Sequence, residues 1–590
     1  MKSFFKYLLA TILGVLITGL AMIILFMVMI GSMVASKDKP FIVKENSVLE
    51  IDLSKPVADR SSDNPLDNFD YVTMKPVNNL GLNDIIESIE KAKTDDNIKG
   101  IYLKGTVIPS GVATIEEIRN ALIDFRDSEK FIFSYGDLYG QKSYYLSTVS
   151  DKIFVNPQGV IEYKGLRAEL MFFKGALEKL GVEPVIIRGR NNKFKSAVEP
   201  FMYDRMSDAN RKQIRSYMGS VWDYLLKNIS EQRGMSVDDL MYYADSLLIK
   251  NPKEAIKYKM IDGVKYYDQF TDEMKKHAGL EEDDELNLVS LSDYKNAPGN
   301  EEDNDAEDKI AVIYASGEIG MGEGSDKSIG SEGLSKAVRE ARLDSTIKSI
   351  VLRINSPGGS ALASEVIWRE VYLAKKEKPV IVSMGDVAAS GGYYIATHAD
   401  VIVAHPNTIT GSIGVFGMFF NGQELLNDKL GITVDTVLTN TYSDLGSQYR
   451  PMAKAEYEVI QEGVEDIYDV FISHVSEGRN MTKADVDSIG QGRVWSGVNA
   501  KKIGLIDEFG GLNRAIDIAA EKAGLKKYKI IDLPEQEDFM EKILNDLSGQ
   551  ASGSIIKEHL GESYRYYKNL QDIIKTKGIQ ARMPFYVEVY

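Results

Sequence analysis

The sequence predicts a tandem-duplicated α/β protein, two related α/β halves behind an N-terminal transmembrane helix. Three observations carry this expectation. An uncharged apolar run lies near the N-terminus, a set of segments recurs at a constant offset of about 249 residues, and in each copy short β-branched runs alternate with longer amphipathic stretches. Strands of four to seven residues separated by helices call for parallel βαβ units, with helices covering the sheet.

Residues 1–40 form the expected membrane anchor. No charged residue occurs from Tyr7 to Ser36, and the mostly apolar run from Leu8 to Val34 exceeds the ~20 residues needed to cross a bilayer. Lys2, Lys6 and the amino terminus precede it, so the positive-inside rule expects residue 1 in the cytoplasm and the rest of the chain across the membrane. Lys37 and Lys39 on the far side pull the other way. The alternative is a cleaved signal peptide ending in the small residues 31–36, but the apolar run is longer than the roughly 7–15 residues of a signal core.

The first half is expected over 41–280 and the second over 310–535. The segment 98–104 (IKGIYLK) echoes 347–353 (IKSIVLR), and Gly136-Asp137-Leu138 followed by Tyr144-Tyr145-Leu146 echoes Gly385-Asp386-Val387 followed by Tyr393-Tyr394-Ile395. Segments 155–157, 171–173 and 260–263 match 404–406, 418–420 and 505–508 with small shifts. Between the halves, 281–309 contains Glu281-Glu282-Asp283-Asp284-Glu285 and a second acidic cluster at 301–308. Such like-charged sequence cannot bury enough apolar surface to order itself and reads as a solvated linker. It lacks the glycine and glutamate spacing of a calcium loop, and no metal is expected. A helical extension is expected over 536–590, including 539–547 and 555–567.

Composition removes several function classes. The 590 residues include 87 acidic and 70 basic side chains, a net charge of −17, and no cysteine. That balance argues against nucleic-acid binding, and the missing thiols remove disulfides, cysteine nucleophiles and thiolate metal sites. The histidines are His277, His398, His405, His474 and His559. No phosphate-loop motif appears, so no ATP requirement and no cofactor are expected.

The stretch 380–396 reads as a buried strand, a turn of small residues and the start of a helix. Ser390, between Ala389 and Gly391, could project its hydroxyl where backbone N–H groups converge, in the manner of a nucleophile turn. Upstream, 353–360 ends another strand in Gly358-Gly359, a source for a second oxyanion donor. Two ordinary glycine-rich turns, or a phosphate cradle, would look the same. A catalytic serine needs a base. His398 lies two helical turns away, and His405 precedes a proline where the first half has Asn156, so both read as structural. A lysine whose pKa burial lowers from ~10.4 is the next candidate.

With these residues in view, the sequence resembles the long, tandem-repeat form of the signal peptide peptidase A (SppA, protease IV) family, membrane-anchored Ser/Lys peptidases with ClpP/crotonase-like domains. Three stretches carry the resemblance: 192–201 (NKFKSAVEPF) in the first half, and 353–359 and 385–394 in the second. The resemblance implies Ser390 as nucleophile, Lys195 as general base and Ser412 as the residue that orients the lysine amine, with Gly359 and Gly391 as oxyanion donors. Lys193 is the rival base. At the repeat offset Ser390 falls on Gln141 and Lys195 falls near Asp444-Leu445-Gly446, so each half keeps one complementary piece. Also implied are signal-peptide remnants and other hydrophobic or unfolded peptides as substrates, membrane lipid as a contact of the N-terminal helix, a homo-oligomer of tetramer type, and a single-pass location in a bacterial-type inner membrane with catalytic domains on the periplasmic side. The readings that compete are a crotonase-like acyl-CoA enzyme and a non-catalytic membrane scaffold.

Overall fold

The β-branched runs of each half assemble into a parallel sheet, and the two sheets repeat one another. The structure, a computed structural model, describes residues 6–7, 10–19, 21–22, 41–62, 69–70, 75–76, 81–298, 305–325, 327–536 and 578–583. In the first half the strand order is Gly263–Val264, Lys152–Ile161, Phe131–Tyr139, Ile98–Lys104, Ser47–Ile51, Leu288–Ser290, with every pair parallel. In the second, Ile409–Gly411, Val380–Ala389, Ile347–Ser356, Lys309–Ser316 and Lys529–Leu533 follow the same parallel order. Val401–Ala404 splits from Val380–Ala389 to pair with Glu508–Phe509, as Lys152–Ile161 pairs with Gly263–Val264 in the first half. The central strands are buried on both faces, which explains their continuous apolar character: all of Ile310 through Ala315 is buried in Lys309–Ser316.

The duplication extends to side-chain hydrogen bonds. Lys130 caps a helix end through the carbonyls of Ala92 and Asp95, and Lys378 does the same with Ala341 and Asp344. Tyr144 donates to the Met260 carbonyl as Tyr393 does to that of Leu505. Arg233 pairs with Asp262 as Arg479 pairs with Asp507.

Two features lock the halves together. The first half's strand Glu183–Arg188 runs antiparallel to Phe416–Asn421 in a third sheet, ordered Gly324–Ser325, Ser328–Gly330, Glu318–Gly320, Gly358–Ser360, Gly578–Arg582, Phe416–Asn421, Glu183–Arg188. Beneath it, Arg353, 0% exposed, donates to Asp59 at 2.8 Å, Ser383 at 2.9 Å and Glu117 at 2.6 Å. Burial alone would raise the Glu117 carboxyl, but the Arg353 guanidinium, the His405 ring and the Leu512 N–H together outweigh it and hold the group well below the usual carboxylate range.

Three expectations change. Part of the segment read as linker is ordered: Leu288–Ser290 is the edge strand of the first sheet and Leu291–Lys295 is a helix that buries Leu291 and Tyr294. These residues occupy the place that Lys529–Leu533 holds in the second half, so the first half extends past residue 280. The acidic residues 301–304 lie outside the described residues. In the extension, Gly578–Arg582 is a strand, while 539–547 and 555–567 lie outside the described residues. Finally, residues 6–7, 10–19 and 21–22 are helical. Among the described residues no helix is long and apolar enough to cross a membrane; residues 1–5, 8–9, 20 and 23–40 of the expected anchor lie outside them.

Candidate active site

Ser390 ends the strand Val380–Ala389 and caps the short helix Gly391–Tyr394. Its backbone sits at φ 55°, ψ −113°, a conformation that costs a side-chain-bearing residue on the order of 1–3 kcal/mol and persists only where the surroundings impose it. Here they do: the Ser390 N–H donates to the Gly411 carbonyl at 2.8 Å, and the Tyr394 N–H donates to the Ser390 carbonyl at 2.8 Å. Strand pairing and the helix start thus hold the serine hydroxyl at the inter-half boundary.

Lys195 reaches it from the first half. The loop after Glu183–Arg188 carries Lys195 into the second half, where its stem lies on Gly492 and Gly414. A Cβ on Gly492 would stand 2.5 Å from Lys195 Cβ, and one on Gly414 would stand 3.5 Å from Lys195 Cδ. Gly492, at φ +79°, is therefore glycine both for its backbone and for the lysine's passage. Lys195 Nζ is 2.9 Å from Ser390 Oγ, 3.2 Å from Ser412 Oγ and 3.3 Å from the Ser412 carbonyl. Lys195, Ser390 and Ser412 are each 0% exposed. Burial pushes the Lys195 amine well below its ordinary value, and among the described residues no carboxylate pairs with it. A neutral amine can accept the Ser390 proton while its own N–H groups donate to Ser412. Ser412 is pinned in turn at φ 50°, its N–H donating to the Arg493 carbonyl at 2.7 Å.

The glycines expected as oxyanion donors are arranged differently from one another. Gly391 packs against Gly358: a Cβ on Gly358 would lie 2.6 Å from the Gly391 nitrogen. Gly359 is paired with Ile319 on one side and with Ala581 on the other. Gly358–Ser360 and Phe416–Asn421 both pair antiparallel with Gly578–Arg582. The Ala581 carbonyl lies against Gly358 and Gly391, and the Met583 N–H donates to the Pro357 carbonyl at 2.7 Å. A cavity of about 1090 Å³ adjoins this strand, with Pro357, Val387, Ile409 and Met583 in its lining.

The other candidates stay apart from the serine. Lys193 is exposed, its amine 5.6 Å from the centre of the Phe194 ring. His405 Nε2 faces Glu117 at 3.4 Å in the cluster around Arg353. His398 accepts from Trp368 Nε1 at 3.0 Å, and burial, with His474 nearby, lowers its imidazole to about 4. His277 stacks edge-on to Phe133, and His559 lies outside the described residues. Among the described residues no three His, Asp or Glu side chains are grouped to hold a metal.

The counterpart positions have been put to other uses. Gln141 accepts from the N–H groups of Lys164 and Gly165 at 2.9 Å and donates to the Gly165 carbonyl at 3.0 Å, so it ties down the loop that in the second half carries Ser412. Asp444 pairs with Arg450. From sequence, Gly358 stands out only as half of a glycine pair, and Gly414 and Gly492 do not stand out at all. Gly414 lies two residues from Ser412, but nothing local ties Gly492 to a lysine 297 positions earlier.

Comparison with known proteins places the chain among peptidases. The family model described as Peptidase family S49 matches residues 124–281 and 373–526, one segment in each half. The chain is similar to Protease 4 of Haemophilus influenzae, 35% identical over 74% of this chain and 72% of that one, and to Protease 4 of Salmonella typhi, 35% identical over 79% and 76%. It is also similar to the chloroplastic serine protease SPPA of Arabidopsis thaliana, 34% identical over 85% of this chain and 74% of that one. Among solved structures, a ClpP1 mutant from Listeria monocytogenes matches 35% of this chain and 94% of its own at 16% identity and a TM-score of 0.24, a score that carries no argument here.

Proposed function

Because the chain belongs to peptidase family S49 and is a serine-type endopeptidase, we propose that Ser390 is its nucleophile and Lys195 its general base. The observation that carries this reading is the 2.9 Å approach of Lys195 Nζ to Ser390 Oγ, between two side chains that are both 0% exposed. Neutral Lys195 takes the hydroxyl proton as Oγ attacks the peptide carbonyl. The resulting ammonium then protonates the leaving amine, and a water activated by the same amine hydrolyses the acyl-enzyme. Ser412 holds the amine by its hydroxyl and carbonyl oxygens, doing for a lysine what a carboxylate does for a histidine base. The developing oxyanion is met by backbone N–H groups of Gly391 and of the glycine pair at Gly359; the packing of Gly358 on the Gly391 nitrogen supports this placement.

The substrate is an extended peptide held by main-chain pairing between Gly358–Ser360 and Phe416–Asn421. In support, Gly578–Arg582 already takes an antiparallel strand pose there, the pose in which strand-addition sites hold peptides. The apolar surround that keeps Lys195 neutral suits hydrophobic peptides, and cleaved signal peptides are the substrate class we assign. Residues 8–34 anchor the chain in a cytoplasmic membrane, with both halves on the far side, and the working form is a homo-oligomer of tetramer type. No nucleotide takes part, so substrates are short or already unfolded.

The direct test uses Ser390→Ala and Lys195→Ala, each assayed on a peptide ester after its assembly has been checked. Each is expected to lose at least ~10³-fold in kcat, the scale on which removal of a nucleophile or its base acts. A serine-reactive probe should label the peptide containing Ser390 in the parent and nothing in Ser390→Ala. Parental turnover by either variant would sink the assignment.

A further inference from the structure

Behind the lysine lies a buried polar network on the helix Asp208–Arg233 that the chemistry above does not use. Gln213, 0% exposed, shares the two N–H groups of its Nε2 among the Phe194 carbonyl at 3.1 Å, Ser196 Oγ at 2.7 Å and Asn210 Oδ1 at 3.2 Å. Its Oε1 accepts from the Val494 N–H at 3.2 Å. The amide cannot flip without placing its donor against the Val494 N–H and its acceptor against the Phe194 carbonyl and Asn210 Oδ1; Asn210 is itself oriented, for its Nδ2 donates to Glu199 Oε2 at 2.9 Å and its Oδ1 also accepts from Ser196 Oγ at 3.0 Å. Glu199 is held by the N–H and hydroxyl of Ser207. Gln213, Asn210, Ser196 and Glu199 are all buried and partnered, the condition under which such a network specifies one geometry.

The two ends of the Gln213 side chain sit on the two walls of the site. Phe194 and Ser196 flank Lys195 on both sides. Val494 follows Arg493, whose carbonyl accepts from the N–H of Ser412. One amide group therefore clamps the first-half loop that delivers the amine to the second-half strand that sets its receptor. We propose that Gln213 is a positioning residue for the Lys195–Ser390 pair, fixing the amine against Ser390 and Ser412 and keeping water from its stem. The proposal rests on Lys195 being the base.

Gln213→Met, near in size and without hydrogen bonds, is compared with the parent for kcat, KM and the pH dependence of kcat on a peptide ester, with Lys195→Ala alongside. Loss of the clamp lets the amine drift and admits water. The expected results are a kcat lower by roughly 10–100-fold, the cost of a misplacement near 1 Å, a KM held within about twofold, and a rising limb of the pH profile moved to higher pH as the lysine recovers toward its ordinary value. Gln213→Leu, smaller and likewise uncharged, also removes the clamp, so it should move both readouts in the same direction, and it stands in if Gln213→Met does not fold. An unchanged kcat and limb overturns the proposal. So does a loss of activity equal at all pH values, which is what a smaller folded fraction alone produces. Parental activity in Lys195→Ala would instead show that the reading of the base has failed.

Discussion

A buried lysine, proposed here as the base, carries its cost in the folded state. Lys195 sits fully buried with an amine well below its ordinary pKa, so the folded chain binds fewer protons there than the unfolded chain does. Below ~10.4, the unfolded value, this destabilises the fold; the penalty grows as pH falls toward the folded pKa and is constant beneath it. Activity runs the opposite way, being lost as pH falls through the folded pKa and the amine takes up a proton. Lys195→Met, which fills the same space over Gly492 without a charge, should therefore abolish turnover while making the protein more stable than the parent at neutral pH. The gain should shrink toward zero as pH approaches ~10.4. Denaturant unfolding at pH 7 and pH 10 checks this; a variant less stable than the parent at pH 7 would contradict it. The serine was legible in the sequence because its turn is local, a strand followed by Ala-Ser-Gly-Gly. Nothing but resemblance reached Lys195 and Ser412, since neither has a local pattern that points to Ser390.

At the scale of elements, what the sequence disclosed depended on how each strand is buried. Ile347–Ser356 and Val380–Ala389 are buried along most of their length and show short apolar stretches in the sequence, 350–352 and 380–382. Leu288–Ser290 buries only Val289 and stands between acidic clusters, so a composition window across it reports solvent. The strands of the third sheet are short and glycine-rich, Gly358–Ser360 among them, and exist because distant partners pair with them. The joint between the halves also runs through an element end. Asp386, next to the turn that carries Ser390, accepts from the N–H groups of Ala113 and Thr114 at 2.8 and 3.0 Å and from the Thr114 hydroxyl at 2.6 Å. It thereby caps the first-half helix Val112–Phe125, which has no cap of its own. Asp386→Ala should cost on the order of 1–2 kcal/mol, as loss of a helix cap does, and lower the midpoint of thermal unfolding. An unchanged midpoint would mean that the cap contributes nothing to holding the halves together.

For the whole molecule, duplication followed by division of labour accounts for the architecture. The constant offset made the repeat legible, and the same register showed that the first half lacks the serine and the second the lysine. The register could not show that the halves face each other. The contacts that make them do so join residues far apart in sequence, Arg353 to Asp59 across 294 positions and to Glu117 across 236, and no local window contains both partners. In the folded chain Lys195 and Ser390 of a single copy meet at 2.9 Å; the site is completed by folding, whatever the oligomer adds. Co-expression of Ser390→Ala chains with Lys195→Ala chains, followed by assay of the purified mixed assembly, tests this most directly. A pair built within one chain leaves every site in the mixture lacking one partner, and no peptidase activity returns. Recovery of activity in the mixed assembly would show instead that the lysine of one copy serves the serine of another.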